Sequence, residues 1–195
     1  YKDIHLLTKN CKQPMDYSIQ DHLLKGARQV PSPNNSEREN PEEISLLVIH
    51  NISLPPGQFG NGFVDKLFCN ELDPTLDPYF EDIAELKVSA HLLIERDGKI
   101  RQYVAFNRKA WHAGESSFEG RENCNEFSIG IELEGTDDTS FEEEQYQTLI
   151  EVTRLLMLEY PNINKDRIVG HDILAPARKT DPGPYFDWKA YLRAV

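Results

Sequence analysis

Between Phe127 and Gly135 the chain alternates strictly. Ile129, Ile131 and Leu133 fall on one side, and Gly130, Glu132 and Glu134 on the other. A period of two is a strand with one apolar face, and such a face has to be covered by another layer. A second short apolar run, Ser45 to Ile49, closes with His50 and Asn51 and reads as a buried strand. Asp97-Gly98, between residues 86–95 and 99–104, predicts a hairpin whose two turn positions both take positive φ. Helices are expected at Phe63–Cys69, at Phe186–Val195 and after Ser140, where Glu143 completes a capping box. The apolar side of that last helix runs from Tyr146 to Tyr160. Strands alternating with helices predict an α/β fold: a single domain with a central mixed β-sheet flanked by helices.

With 195 residues, 39% hydrophobic and 28% charged, the chain can build one ordinary core. Residues 1–27 read as an N-terminal extension without an assigned role, and 28–195 as the functional domain. The stretch 31–41 reads as a surface loop. A net charge of -12, from 21 basic and 33 acidic residues, disfavours nucleic acid and anionic membranes as partners. Cys11, Cys69 and Cys124 are scattered and odd in number, which points to a reducing compartment and away from a thiolate site. No stretch has the length of a membrane span, and the first twenty residues carry no signal-peptide core.

The histidines carry the functional argument. His5 and His22 lie in polar surroundings. His50 ends a buried strand, where ligand crevices of open α/β sheets form. His171 ends another apolar stretch, and Asp181 follows ten positions later. Two imidazoles and one carboxylate make a catalytic-type zinc set with an open position, able to lower the pKa of water to roughly 7. The residues alone leave other choices open. There is no HExxH pair, and His91 and His112 compete as ligands. In the simpler reading His91 is a satisfied core residue, and His112 a loop residue bonded to backbone.

Glu132 can enter the cleft as proton acceptor, although paired carboxylates on a strand are more commonly solvated. Gly130 would then leave room for substrate. Lys179 lies two residues before Asp181, so an extended segment projects both to one side, and its ammonium could stabilise an oxyanion. An ordinary surface lysine is the alternative if Asp181 binds no metal.

These residues stand within longer stretches: 30–33 (VPSP), 47–57 (LVIHNISLPPG), 88–91 (VSAH), 111–114 (WHAG), 127–135, Gly170-His171, and 178–184 (RKTDPGP). In their order and content they resemble the AmpD-type N-acetylmuramoyl-L-alanine amidases. That group sits within a zinc amidase family that also includes phage lysozyme-type amidases and peptidoglycan recognition proteins. The resemblance implies one Zn2+ held by His50, His171 and Asp181, with Glu132 as proton acceptor and Lys179 as transition-state stabiliser. It implies a 1,6-anhydro-N-acetylmuramyl peptide as substrate, cut between the lactyl group and L-alanine during cytoplasmic peptidoglycan recycling by a monomer. A lowered anhydro-muropeptide pool would restrain β-lactamase induction. Trp111, Asn51, His91, Lys87 and Arg121 are candidate substrate contacts. A muropeptide-binding module without catalysis and a zinc peptidase acting within the stem peptide are the competing readings.

Overall fold

The computed structural model describes residues 17–195; His5, Cys11 and the first sixteen residues of the 1–27 extension lie outside them. β1 (Ser18–Gln20) and β2 (Leu23–Lys25) form an antiparallel hairpin. Its turn residues, Asp21 and His22, both have positive φ, as a two-residue turn that follows strand twist requires. The hairpin is part of the folded body, because Tyr17 and Leu24 are buried in the main core.

The chain continues through β3 (Arg28–Gln29), β4 (Asn35–Glu37), β5 (Leu46–Ile52), α1 (Phe63–Phe68) and α2 (Pro78–Glu81). Then come β6 (Leu92–Ile94), β7 (Ile100–Gln102), β8 (Arg108–Ala110), β9 (Ser117–Phe118), β10 (Arg121–Glu122) and β11 (Ser128–Glu134). The last elements are α3 (Glu143–Glu159), β12 (Ile168–Gly170), α4 (His171–Leu174) and α5 (Trp188–Ala194). Six strands form one mixed sheet in the order β12-β5-β11-β6-β7-β3. β12, β5, β11 and β6 run parallel, β6 and β7 antiparallel. The expected α/β architecture is therefore present.

The two faces of β5 and β11 do different things. Leu47, Ile49, Ile129, Ile131 and Leu133 pack under Leu149, Val152 and Leu156 of α3 and Tyr191 of α5. Fully burying each such side chain contributes on the order of 1.5–3 kcal/mol. Leu46, Val48 and His50 of β5, with Gly130, Glu132 and Glu134 of β11, project to the opposite face. The parallel register sets Glu132 beside His50. That face is left for chemistry at the carboxyl ends of the strands.

Four local expectations are corrected. α3 begins two residues later than its Ser140–Glu143 signal, with Glu142 and Gln145 forming the capping box. Phe141, just before the cap, is buried and meets Tyr146 one turn in, an apolar clasp that fixes the entry angle. The strand expected from Leu86 starts only at Leu92. In the Asp97-Gly98 turn only Gly98 has positive φ (81°), because Glu95 and Lys99 pair across a three-residue connection. The 31–41 stretch is not a plain surface loop, since β4 pairs with β8 and Arg38 is buried.

Arg38 explains that burial. Its guanidinium donates to the carbonyls of Asn125, Glu126, Phe106 and Ser128 and lies 3.2 Å from His91 Nε2. Burial lowers its pKa to about 10, opposed by Glu126 and Tyr160, so it stays charged. It supplies donors to carbonyls left unpaired where strands and loops meet under the site.

Candidate metal centre

β5 delivers His50, and the β12–α4 junction delivers His171 directly after Gly170. The loop beyond α4 returns Asp181. His50 Nδ1 lies 3.1 Å from His171 Nδ1, and Asp181 Oδ2 lies 2.9 Å from the first and 3.2 Å from the second. Both imidazoles are buried. The three side chains are a group that could hold a metal ion. Tetrahedral zinc with bonds of about 2.0–2.2 Å keeps its ligand atoms about 3.3 Å apart, within a few tenths of an ångström of these separations. Three lone pairs converging at such distances cannot all be satisfied by one shared proton, so the donor set fits a cation.

The second ring nitrogens are also engaged. His171 Nε2 is 3.0 Å from the carbonyl of Ala113, which requires the proton on Nε2 and leaves Nδ1 free to ligate. His50 Nε2 is 2.9 Å from His112 Nδ1, and His112 Nε2 is 3.0 Å from Ser128 Oγ. Protons on both Nε2 atoms make this a directed chain in which His50 donates to His112 and His112 donates to Ser128. Burial, followed by the neighbouring His50 and His91, pushes the His112 pKa well below its ordinary value, so the ring is neutral and able to accept. Burial likewise lowers His50. Burial works to raise the Asp181 pKa, but the adjoining His171 and His50 side chains hold the carboxyl well below the carboxylate range.

His112 is the residue that sequence reasoning placed wrongly. It is neither a competing ligand nor a backbone-bonded loop residue. The one available signal was Gly130, a glycine amid β-branched and large residues. Gly130 leaves room not for substrate but for the His112 ring: a Cβ there would lie 2.5 Å from its Cγ and 2.6 Å from its Nδ1. Gly130→Ala is therefore expected to push the His112 ring away from His50. Overpacking of this kind costs about 1–3 kcal/mol of stability, and disturbing a ligand's partner weakens metal binding by about 10–100-fold. Thermal melts and zinc titration of the variant check both.

A cleft of about 900 Å³ opens over the cluster, lined by His50, Asn51, Trp111, His112, Glu132, His171, Lys179 and Asp181 among others. Glu132 is buried, and among the described residues its Oε2 has no hydrogen-bond partner. Burial first, and Asp181 second, raise its pKa well above the usual carboxylate value, with Lys179 opposing. Glu134, two residues on, is buried but tied: it accepts from the backbone N–H groups of Gly60 (2.5 Å) and Arg96 (3.2 Å). The solvated carboxylate pair allowed by the alternation is thus replaced by one anchored and one unpartnered acid.

The candidate contacts separate. Trp111 lines the cleft, its indole N–H donating to Ser36. Asn51 lines it too, but its amide donates to Asp137 (2.7 Å) and to the Pro182 carbonyl (3.1 Å), beside Asp181. Lys87 is exposed between the cleft-lining Leu86 and Val88. Arg121 is exposed, paired with Glu43 and stacked 4.2 Å over the Phe127 ring, outside the cleft lining. His91 is corrected: it is fully buried, accepts from the Gly130 N–H at Nδ1 and meets the Arg108 carbonyl at Nε2. Burial and Arg38 hold its pKa down to about 3, so it is a neutral structural residue behind the cleft.

Comparison with known proteins agrees with this geometry. The family model described as N-acetylmuramoyl-L-alanine amidase matches residues 40–184. The 1,6-anhydro-N-acetylmuramyl-L-alanine amidase AmpD of Haemophilus influenzae is 57% identical over 177 residues, covering 91% of this chain and 96% of that protein. A crystal structure of a selenomethionine AmpD derivative superposes with a TM-score of 0.87 at 56% identity, covering 90% of this chain and 97% of the other. The Escherichia coli amidase AmiD has been solved with anhydro-N-acetylmuramic acid-L-Ala-D-γ-Glu-L-Lys as substrate. It superposes with a TM-score of 0.57 at 26% identity, covering 91% of this chain and 65% of the other.

Proposed function

The chain belongs to the N-acetylmuramoyl-L-alanine amidase family, and from that premise we propose that it hydrolyses the amide joining the lactyl group of 1,6-anhydro-N-acetylmuramic acid to L-alanine in muropeptides. The observation that carries this reading is the meeting, in one cleft, of three converging donor atoms with the partnerless carboxyl of Glu132 and the side chain of Lys179.

In this reading His50, His171 and Asp181 hold one zinc ion. Bound there, zinc supplies a Lewis acid that polarises the reacting carbonyl and a water molecule. Glu132 takes the proton that the attacking water gives up and returns it to the departing L-alanine amine. Its buried position suits both halves of the task, because burial favours the protonated acid while Lys179 favours the ionised base. Lys179 places a positive charge where the carbonyl oxygen becomes negative. Trp111 offers an indole face to the sugar ring, and Lys87 can meet a carboxylate of the stem peptide. Asn51 orients the segment next to Asp181 through the Pro182 carbonyl. Residues 28–195 form the amidase domain in this reading, with the β1–β2 hairpin packed into the same core.

Such an enzyme serves peptidoglycan recycling in the cytoplasm as a monomer, and by removing anhydro-muropeptides it restrains β-lactamase induction. No helix among the described residues is long and apolar enough to cross a membrane. The net charge of -12 gives no support to nucleic acid as a partner. The test is product analysis by mass after incubation with anhydro-muropeptide. Free stem peptide beginning with L-alanine and an intact anhydro-sugar are expected. Cleavage between two amino acids of the stem would replace this reading with a peptidase.

A further inference from the structure

We infer that Asp137, in the turn after β11, is a positioning residue that fixes the segment carrying Lys179 and Asp181. Its two carboxylate oxygens serve a strand and a loop of the site. Oδ1 accepts from the Asn51 amide at 2.7 Å, at the end of β5. Oδ2 accepts from the Thr180 hydroxyl. Thr180 stands between Lys179 and Asp181, and its carbonyl accepts from the Gly183 N–H, closing a turn around Asp181 and Pro182. Holding Thr180 therefore sets the direction in which its two neighbours point.

Two further contacts make the brace rigid. Asn51 also donates to the Pro182 carbonyl at 3.1 Å, so the same amide binds Asp137 and the far side of Asp181. Gly183 turns with φ of 82° against the Asp137 backbone, where a Cβ would lie 2.5 Å from the Asp137 Cα. The segment 179–183 is thereby fastened on both sides of its acidic residue. The brace joins β5, which carries His50, and the end of β11, which carries Glu132, to the loop that completes the cluster. Asp137 lines the cleft, so direct contact with substrate is the rival role.

The inference rests on the metal reading above, and zinc titration of the metal-free full chain separates the two. If the wild-type chain takes up no zinc, the metal reading itself fails. If it does, Asp137→Ala and Thr180→Val are each expected to weaken zinc binding by about tenfold. In both, kcat falls more than KM rises. The double variant should be no worse than Asp137→Ala alone, since that substitution already removes the Thr180 bond. Asp137→Asn offers an acceptor to Asn51 and a donor to the Thr180 hydroxyl, which accepts as readily as it donates, so it should restore zinc affinity. Circular dichroism of each metal-free variant establishes that the fold persists. Unchanged zinc affinity in Asp137→Ala, or a raised KM in Asp137→Ala with Thr180→Val normal, overturns the brace in favour of substrate contact. Effects that multiply in the double variant overturn it as well.

Discussion

Glu132→Gln is expected to lower kcat by about 10³-fold while zinc content and KM stay near their original values. The substitution keeps the shape of the side chain and removes only its ability to carry a proton. β11 sets the carboxyl beside His50, in a buried position where Oε2 has no partner. Burial disfavours its ionised form, so replacing it with a neutral amide removes an electrostatic penalty from the folded state. The variant should therefore melt at the same temperature as the original or higher, a trade between stability and activity seen at strained sites. Steady-state kinetics, metal analysis and a thermal melt settle the matter together. A variant within about tenfold of full turnover would assign the proton transfer to another group.

The sheet was legible because its signals are local. Alternation across 127–135 and the apolar run ending at His50 are properties of consecutive residues, and both become central strands. Lys179 and Asp181 do line one cleft, but the backbone there turns, with Gly183 bonded back to Thr180, where the sequence argument took it as extended. The convergence of His50, His171 and Asp181 is a different kind of fact. Residues 121 positions apart meet only once β12 lies against β5, and the residues alone left several other choices open. Family resemblance narrowed those choices where composition could not. His112 and Arg38 were misread for the same physical reason. Arg38 lies in a polar stretch that looks solvated and His112 in a short loop, and each is buried because distant backbone or ring atoms need a donor or acceptor there. Such needs are invisible until the fold places the unpaired groups. Asp137 belongs with them, since its partners Asn51 and Thr180 are separated from it by 86 and 43 positions.

Stripping the metal with a chelator is expected to abolish turnover, lower the melting temperature by about 5–15 °C, and be reversed by stoichiometric zinc. The folded chain brings three donor atoms to separations of 2.9–3.2 Å, and without a cation their lone pairs face one another inside a buried site. A ligand that binds this arrangement and not the unfolded chain stabilises it by mass action. The pH dependence follows from the ligands' protonation. His50 is held below its ordinary value by burial, and Asp181 below its own by the two histidines. A group whose pKa is lower in the folded state contributes stability above its unfolded value and loses it as pH falls through the folded one. For His50 that contribution is complete above about pH 6.5 and fades below it; for Asp181 it persists into the acid range. Protons therefore compete for the His50 imidazole before they compete for the Asp181 carboxylate, and zinc release is expected on the acid side of neutrality. Asp181→Ala removes the one anionic ligand and leaves two imidazoles facing each other, so it should bind zinc far more weakly at every pH. A chelated protein that retains full turnover would show that the cluster of His50, His171 and Asp181 is structural and that the chemistry lies with Glu132 and Lys179 alone.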